Sequence, residues 1–278
     1  MHSIRRFIII MALLCQCNET LSLIERLPLP SSWTNKQDKE SISITKKVER
    51  NCNISITNII GDIEVTASTK DSIKVSAVKS GSLQALESTK VVVEYTEGKA
   101  EIKTVQIIKE PGTTECSVSY KIAIPKTGRL SSVHTGQGTI TIENGQGAVA
   151  TTKDGSIAIK NSTGPVEAST DKGAISISLH SILPGQQVTA LSGKGDIEIS
   201  MPAQTVANLD ARTKGGGVVT SELPIKTKPT TFKVFNRKAV AKLNRELSGT
   251  LGTQSRDSNE LPSVILYTDK GNIKVNKS

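Results

Sequence analysis

A chain of 278 residues with a formal net charge of +9 and only 3% aromatic residues has room for a large domain but few bulky anchors. That composition argues against a sandwich core built on large aromatic residues, and against a sugar-cleaving cleft lined with aromatic platforms. The length exceeds the usual single domain and suits one elongated repeat domain.

Met1 to Ser22 reads as a secretory signal. Arg5 and Arg6 form its positive region, the run Phe7 to Leu14 its apolar core, and Thr20 and Ser22 stand at plausible −3 and −1 positions. An uncleaved anchor is the alternative, but the apolar run falls short of the ~20 residues that span a bilayer. Cys15 raises a second alternative, lipidation, although Leu14 stands where the bacterial lipoprotein motif has a small residue. The expected location is therefore outside the cytoplasm, in the periplasm, outer membrane or cell surface. Removing residues 1–22 takes away Arg5, Arg6 and Glu19, so the mature charge is +9 − 2 + 1 = +8. Cys52 and Cys116 then remain as a candidate disulfide, with two buried or free thiols as the alternative.

Residues 23–46 are polar, hold Pro28, Pro30 and the only tryptophan, Trp33, and read as an irregular lead-in. Strands are expected from Lys47 onward, through Asn53–Ile56, Gly61–Ala67 and Ile73–Ala77. Leu83–Ser88 reads as a helical turn or a loop. Further strands are expected at Val91–Tyr95, Ala100–Val105 and Ser117–Ile124, with a turn at Pro125–Gly128.

From Gly138 a glycine precedes an alternating apolar strand repeatedly: Gly138-Thr-Ile140-Thr-Ile142, Gly147-Ala-Val149, Gly155-Ser-Ile157-Ala-Ile159, Gly164-Pro-Val166 and Gly173-Ala-Ile175-Ser-Ile177. The glycine spacings are nine, eight, nine and nine residues. The motif returns at Gly195-Asp-Ile197-Glu-Ile199 and Gly271-Asn-Ile273-Lys-Val275, and an early copy stands at Gly61-Asp-Ile63-Glu-Val65. Side chains two apart in a strand share a face, so each unit offers a two-residue apolar stripe. One stripe is too small to bury alone, and stacking merges the stripes into one core. The expected fold is all-β: a single elongated β-solenoid of stacked strand-turn repeats over residues 47–278. A sandwich whose hairpins recur at similar spacing is the competing architecture.

Arg212 to Arg245 stands apart, with nine basic residues and one acid, Glu222, for a local charge of +8. The residues singled out there as a patch for an anionic partner are Lys226, Lys228, Lys233, Arg237, Lys238, Lys242 and Arg245. Phe232 and Phe235 lie among them. Acidic glycans, envelope polymers and lipid head groups fit such charge; nucleic acid is not expected for an exported chain. Val240, Leu243 and Leu247 suit one face of a short helix, Ser248–Glu260 a loop, and Leu261–Val275 the closing strands.

No catalytic constellation emerges. His134 and His180 belong to no metal-ligand spacing, and no nucleophile elbow or phosphate loop occurs. Gly136-Gln-Gly138 precedes a strand, where a dinucleotide loop must open a helix. Gly193-Lys-Gly195-Asp196 lacks the tandem partners of a calcium-binding nonapeptide. No cofactor, metal or catalytic residue is expected.

The order of these pieces carries a resemblance. Asn53-Ile-Ser-Ile56 is followed by Gly61-Asp-Ile-Glu-Val65, Ile73-Lys-Val75, Tyr120-Lys-Ile-Ala-Ile-Pro125-Lys-Thr-Gly128 and the tandem glycine repeats. Ser248-Gly-Thr-Leu-Gly252 and Leu266-Tyr-Thr-Asp-Lys-Gly-Asn-Ile-Lys-Val275 close the series. From Lys47 to the C-terminus this resembles the bacterial adhesin-like domain of unknown function whose members repeat "GDIEV" strands. The resemblance implies an exported β-solenoid with an adhesin-like binding or structural role, and it brings no site residues with it. The basic insert Lys226–Arg245 departs from the family pattern. Two other classes stay open: a polysaccharide-acting β-helix enzyme, and a self-assembling scaffold resembling the bactofilins.

Overall fold

Alternating burial drives nearly every element of the computed structural model, which describes residues 38–107, 115–227, 246–252 and 261–278. In chain order the elements begin with β1 (Asp38–Lys47), β2 (Asn53–Ile60), β3 (Ile63–Ser68) and β4 (Ser72–Gly81). Helix α1 (Leu83–Ser88), β5 (Thr89–Thr96), β6 (Lys99–Gln106), β7 (Ser117–Pro125), β8 (Arg129–Gln137) and β9 (Ile140–Glu143) follow. Next come β10 (Ala148–Asp154), β11 (Ile157–Thr163), β12 (Val166–Lys172), β13 (Ile175–Ser181), β14 (Gln187–Lys194) and β15 (Ile197–Met201). The last are β16 (Ala207–Thr213), β17 (Val219–Ser221), β18 (Ile225–Thr227), β19 (Glu246–Leu251), β20 (Ser263–Lys270) and β21 (Ile273–Lys277).

The chain is all-β with two large mixed sheets. One runs β1-β4-β7-β3-β9-β11-β13-β15-β21-β17, the other β18-β19-β16-β20-β14-β12-β10-β8-β2-β6-β5. From β8 to β17 successive strands alternate between the sheets, and up to β15 each strand pairs in parallel not with the next strand but with the one after it. Ile157 thus lies beside Ile140 and Ile175, and Val166 beside Ala148 and Val188. The eight- and nine-residue glycine units are therefore half of the stacking period. The C-terminal strands do not close the stack, as their position in the sequence suggests. β20 inserts between β14 and β16, and β21 between β15 and β17. Antiparallel strands border both ends: β1, β4 and β5 at one, β18 and β19 at the other.

The core lies between the sheets. Ile140, Ile142, Ile157, Ile159, Ile175, Ile177, Ile197 and Ile199 are all buried in it. They face smaller residues of the other sheet, such as Ala148 and Ala150, Val166 and Ala168, and Val188 and Ala190. A narrow gap filled by isoleucine from one side leaves room for little more than alanine and valine on the other. That is how a core with so few aromatic residues packs.

Two local expectations change, and one open alternative is settled. β1 starts at Asp38, inside the stretch read as irregular, because Ile42 and Ile44 alternate with serine and lay a half-buried stripe against β4. Leu83–Ser88 is helical, with the Ser82 side chain accepting from the Ala85 amide. The start of the region read as helix and loop holds strand β19 instead, with Leu247 packed against the core and paired to Ala211. Val240 and Leu243 lie outside the described residues.

The first strand pair carries a buried polar chain. Asn58 Nδ2 donates to the carbonyls of Val118 (2.7 Å) and Gly61 (3.1 Å). Thr104 Oγ1 donates to Asn58 Oδ1 (2.8 Å) and meets the Tyr120 hydroxyl at 2.6 Å. With the threonine proton used, Tyr120 is the donor in that contact. Burial pushes the Tyr120 phenol above its ordinary 10.0. The unfolded chain therefore loses this proton first, so Tyr120 stabilises the fold fully below pH ~10 and progressively less above it. Thermal melts should show stability falling as pH rises past this value, and Tyr120→Phe should flatten that part of the profile. An unchanged profile in the variant would assign the loss to other groups.

Candidate functional site

The conspicuous polar residues of the repeats serve the corners. At the bend from one sheet to the other, a buried hydroxyl three residues before the glycine donates to the glycine carbonyl of the neighbouring strand pair. Thr135 reaches Gly61 (3.1 Å), Thr152 reaches Gly138 (3.2 Å), Thr170 reaches Gly155 (2.9 Å) and Ser192 reaches Gly173 (3.0 Å). Thr268 reaches Gly195 and Thr213 reaches Gly271, both at 2.9 Å. The residue after the glycine makes a second ladder. Asp62 accepts from the Thr139 amide and Asp196 from the Asn272 amide, each at 2.7 Å. The acid of the Gly-Asp-Ile motif is thus a backbone cap, which accounts for Asp196 without an ion. The return bends use asparagine: Asn144 and Asn161 adopt positive φ, and Asn161 Nδ2 donates to Asn144 Oδ1 at 2.6 Å.

His134 stands mid-strand on the outer face of β8 beside Thr57 and Thr151, and His180 is exposed near the end of β13. Among the described residues no group of three or more His, Cys, Asp or Glu gathers as for a metal. No helix among them is long and apolar enough to cross a membrane.

The expected Cys52–Cys116 bridge is corrected. Both are buried free thiols. Cys52 precedes β2, whereas Cys116 lies at the far end of that strand, beside Gly81 and next to Ser117, which approaches Gly61. The eight residues of β2 separate them by roughly 25 Å at ~3.3 Å per residue, far beyond disulfide reach. Burial also pushes the Cys52 thiol up, which lowers its reactivity. Labelling under denaturing, non-reducing conditions should find both thiols of Cys52 and Cys116 free; no labelling of either would restore the bridge.

Of the proposed anionic-partner residues only Lys226 lies within the described residues, exposed on β18 opposite Thr250. Lys228, Lys233, Arg237, Lys238, Lys242 and Arg245 lie outside them. Arg212, at the edge of the segment, is held by Asp210 (2.8 Å) and Glu246 (3.4 Å).

A polar groove of about 440 Å³ crosses the second sheet at the starts of five parallel strands. Each strand supplies at least one polar side chain to its lining: Asn53 for β2, Arg129 and Ser131 for β8, Gln146 just before β10, Glu167 for β12, and Gln187 and Thr189 for β14. Its origin is a bulge in β8. Leu130 pairs with Ile54 and with Ala148, and Val133 with Ile56 and with Ala150, so β8 fits one more residue than either neighbour. The extra residue is Ser131, whose hydroxyl donates back to the Ile54 carbonyl at 3.0 Å. A bulge bends its strand and breaks the flat ladder, which opens a hollow at this point. Gly147 keeps that hollow shallow-walled and close-packed, since a Cβ there would meet the Pro165 carbonyl at 2.6 Å. Nothing in the sequence marks the groove, because the bulge exists only once the register of three strands is known.

No family model matches the chain, and no curated relative matches it. Among solved structures it is similar to a candidate cell adhesion protein from Clostridium sporogenes ATCC 15579, with 12% identity and a TM-score of 0.46, over 87% of this chain and 100% of that one. It is also similar to a candidate adhesin from Bacteroides fragilis NCTC 9343, with 12% identity and a TM-score of 0.31, over 86% and 97% of the two chains. A candidate adhesin from Parabacteroides distasonis ATCC 8503 aligns at 10% identity with a TM-score of 0.28, over 85% and 97%.

Proposed function

We infer that this chain is a non-catalytic, exported envelope or cell-surface protein: a single two-sheeted β-solenoid that acts as a rigid scaffold and binds a polymer in an adhesin-like role. The observation that carries this reading is the corner ladder. Hydroxyls from Thr135 to Thr268 and the acids Asp62 and Asp196 join one strand pair to the next, so the residues that suggest chemistry in the sequence are structural. What such a stack offers a partner is its outward rows, for example Thr57, His134, Thr151 and Ser169 across four neighbouring strands. Parallel stacks bordered by antiparallel strands also disfavour end-to-end polymerisation, since terminal caps stop stacking. Export rests on Met1–Ser22, and a second contact rests on the basic segment Lys226–Arg245, which suits anionic lipid heads or acidic polymers.

The test is the location of the protein in its native host together with an array of envelope glycans and anionic vesicles. The expected results are an N-terminus cleaved near Ser22 and binding to at least one polymer class. Binding through the basic segment must weaken with salt and with Lys233, Arg237, Lys238 and Lys242 changed to serine. An intact Met1 on a cytosolic protein, or release of new sugar reducing ends by the purified chain, would overturn the reading.

A further inference from the structure

Resting on that reading, we propose that the groove at the β8 bulge is the polymer-binding site, and that its ligand is an uncharged, hydroxyl-rich polysaccharide lying across the strand starts. Three observations carry this. The first is periodicity. Asn53, Arg129, Gln146, Glu167 and Gln187 come one from each of five successive parallel strands, which lie ~4.8 Å apart. A row of polar groups repeating at that spacing, comparable to the length of one pyranose unit, suits a linear polymer better than a compact small molecule.

The second is availability. Among the described residues Arg129 and Glu167 have no ion-pair partner, whereas several outward acids of the other strands do: Glu64 with Lys121, Glu143 with Lys160 and Asp154 with Lys172. Gln187 Nε2 donates to Thr189 Oγ1 at 3.0 Å, which fixes the amide and leaves its oxygen as an acceptor. The third is charge. One arginine and one glutamate cancel, and three amides supply both donors and acceptors. Sugar hydroxyls, which donate and accept at once, match that mixture. A polyanion would find Glu167 repelling it and a single cation in return. The next strand, β20, places Ser263 beside Gln187 and carries Tyr267 four residues further on, outside the groove, with its hydroxyl donating to Asp269 at 2.7 Å.

The experiment uses the purified full chain on a panel of neutral polymers (a β-glucan, mannan, dextran and chitin oligosaccharides) beside polygalacturonate and hyaluronate, followed by calorimetry on whatever binds. Two variants probe the groove. Gln146→Ala/Glu167→Ala/Gln187→Ala removes three exposed side chains, and Val149→Trp fills the floor. Thr141→Ala/Ser176→Ala on the other sheet is the control, and circular dichroism checks each fold. The expected result is a neutral polymer bound independently of salt, weakened about tenfold or more in both groove variants and unchanged in the control. Binding retained in both groove variants would overturn the groove and leave the surface-binding role standing. Binding only to the acidic polymers, lost with salt, would overturn the neutral ligand in favour of the basic segment. Binding of no polymer at all by the wild type would overturn this site and the adhesin-like role together.

Discussion

Gly138→Ala should cost about 3–5 kcal/mol, a large loss for so small a substitution. Gly138 has φ +137°, and a Cβ there would come within 3.0 Å of the carbonyl oxygen of Gly61. Neither partner has room to move. The Gly138 amide bonds to Asp154, the Gly61 amide bonds to Gln137, and the Gly61 carbonyl also receives Thr135. Gly185→Ala separates the causes, because Gly185 has φ +75° with nothing within 4 Å of the added carbon. It should lose only about 1–2 kcal/mol, the price of left-handed backbone alone. Chemical denaturation of both variants measures the difference. Equal losses would mean that the corner glycines are not in contact across the stack.

Ile175→Ala should cost about 2–5 kcal/mol through lost burial and the cavity left behind. Ile175 is 1% exposed and lies between Ile157 and Ile197 on the neighbouring strands, with the Val and Ala row of the other sheet below. Its neighbours are locked in two ladders and collapse little, which favours the upper half of that range. Leu191→Ala on the outer face, where the side chain is 36% exposed, should stay within ~0.5 kcal/mol. A small loss at Ile175 would place the isoleucine stripe on the surface and remove the core described above.

These two positions also show how far the sequence reaches. The isoleucine pairs announce their burial, because alternation leaves them no other role. The stacking period is harder. Every unit opens on glycine, so the chain reads as one eight- to nine-residue repeat, whereas two kinds of corner alternate. Thr152 and Thr170 stand three residues before Gly155 and Gly173, while Asn144 and Asn161 stand three before Gly147 and Gly164. The threonine corners bond to the glycine carbonyl of the neighbouring pair, and the asparagine corners take positive φ. That alternation was the available signal for a two-strand period. The insertion of β20 and β21 has no comparable signal, since Gly271 sits in the same motif as its neighbours wherever it stacks. Nor does the groove, which depends on a single unpaired residue, Ser131. The cysteines mislead for the opposite reason. Both lie just before strands, but Cys116 sits beyond the far end of the strand that Cys52 precedes, a fact of topology rather than composition.

The stacked two-strand period is tested most directly by paired cysteines on the outer faces. Ala158→Cys with Ser176→Cys places two thiols on adjacent parallel strands, where Ala158 and Ser176 are register partners. Ala158→Cys with Glu167→Cys, nine residues apart, places them on the outer faces of opposite sheets. With a short bifunctional thiol reagent under native conditions, the first pair should link rapidly and the second not at all. Linkage of the second pair without the first would mean that successive strands lie side by side as hairpins, and the stacked scaffold would be wrong.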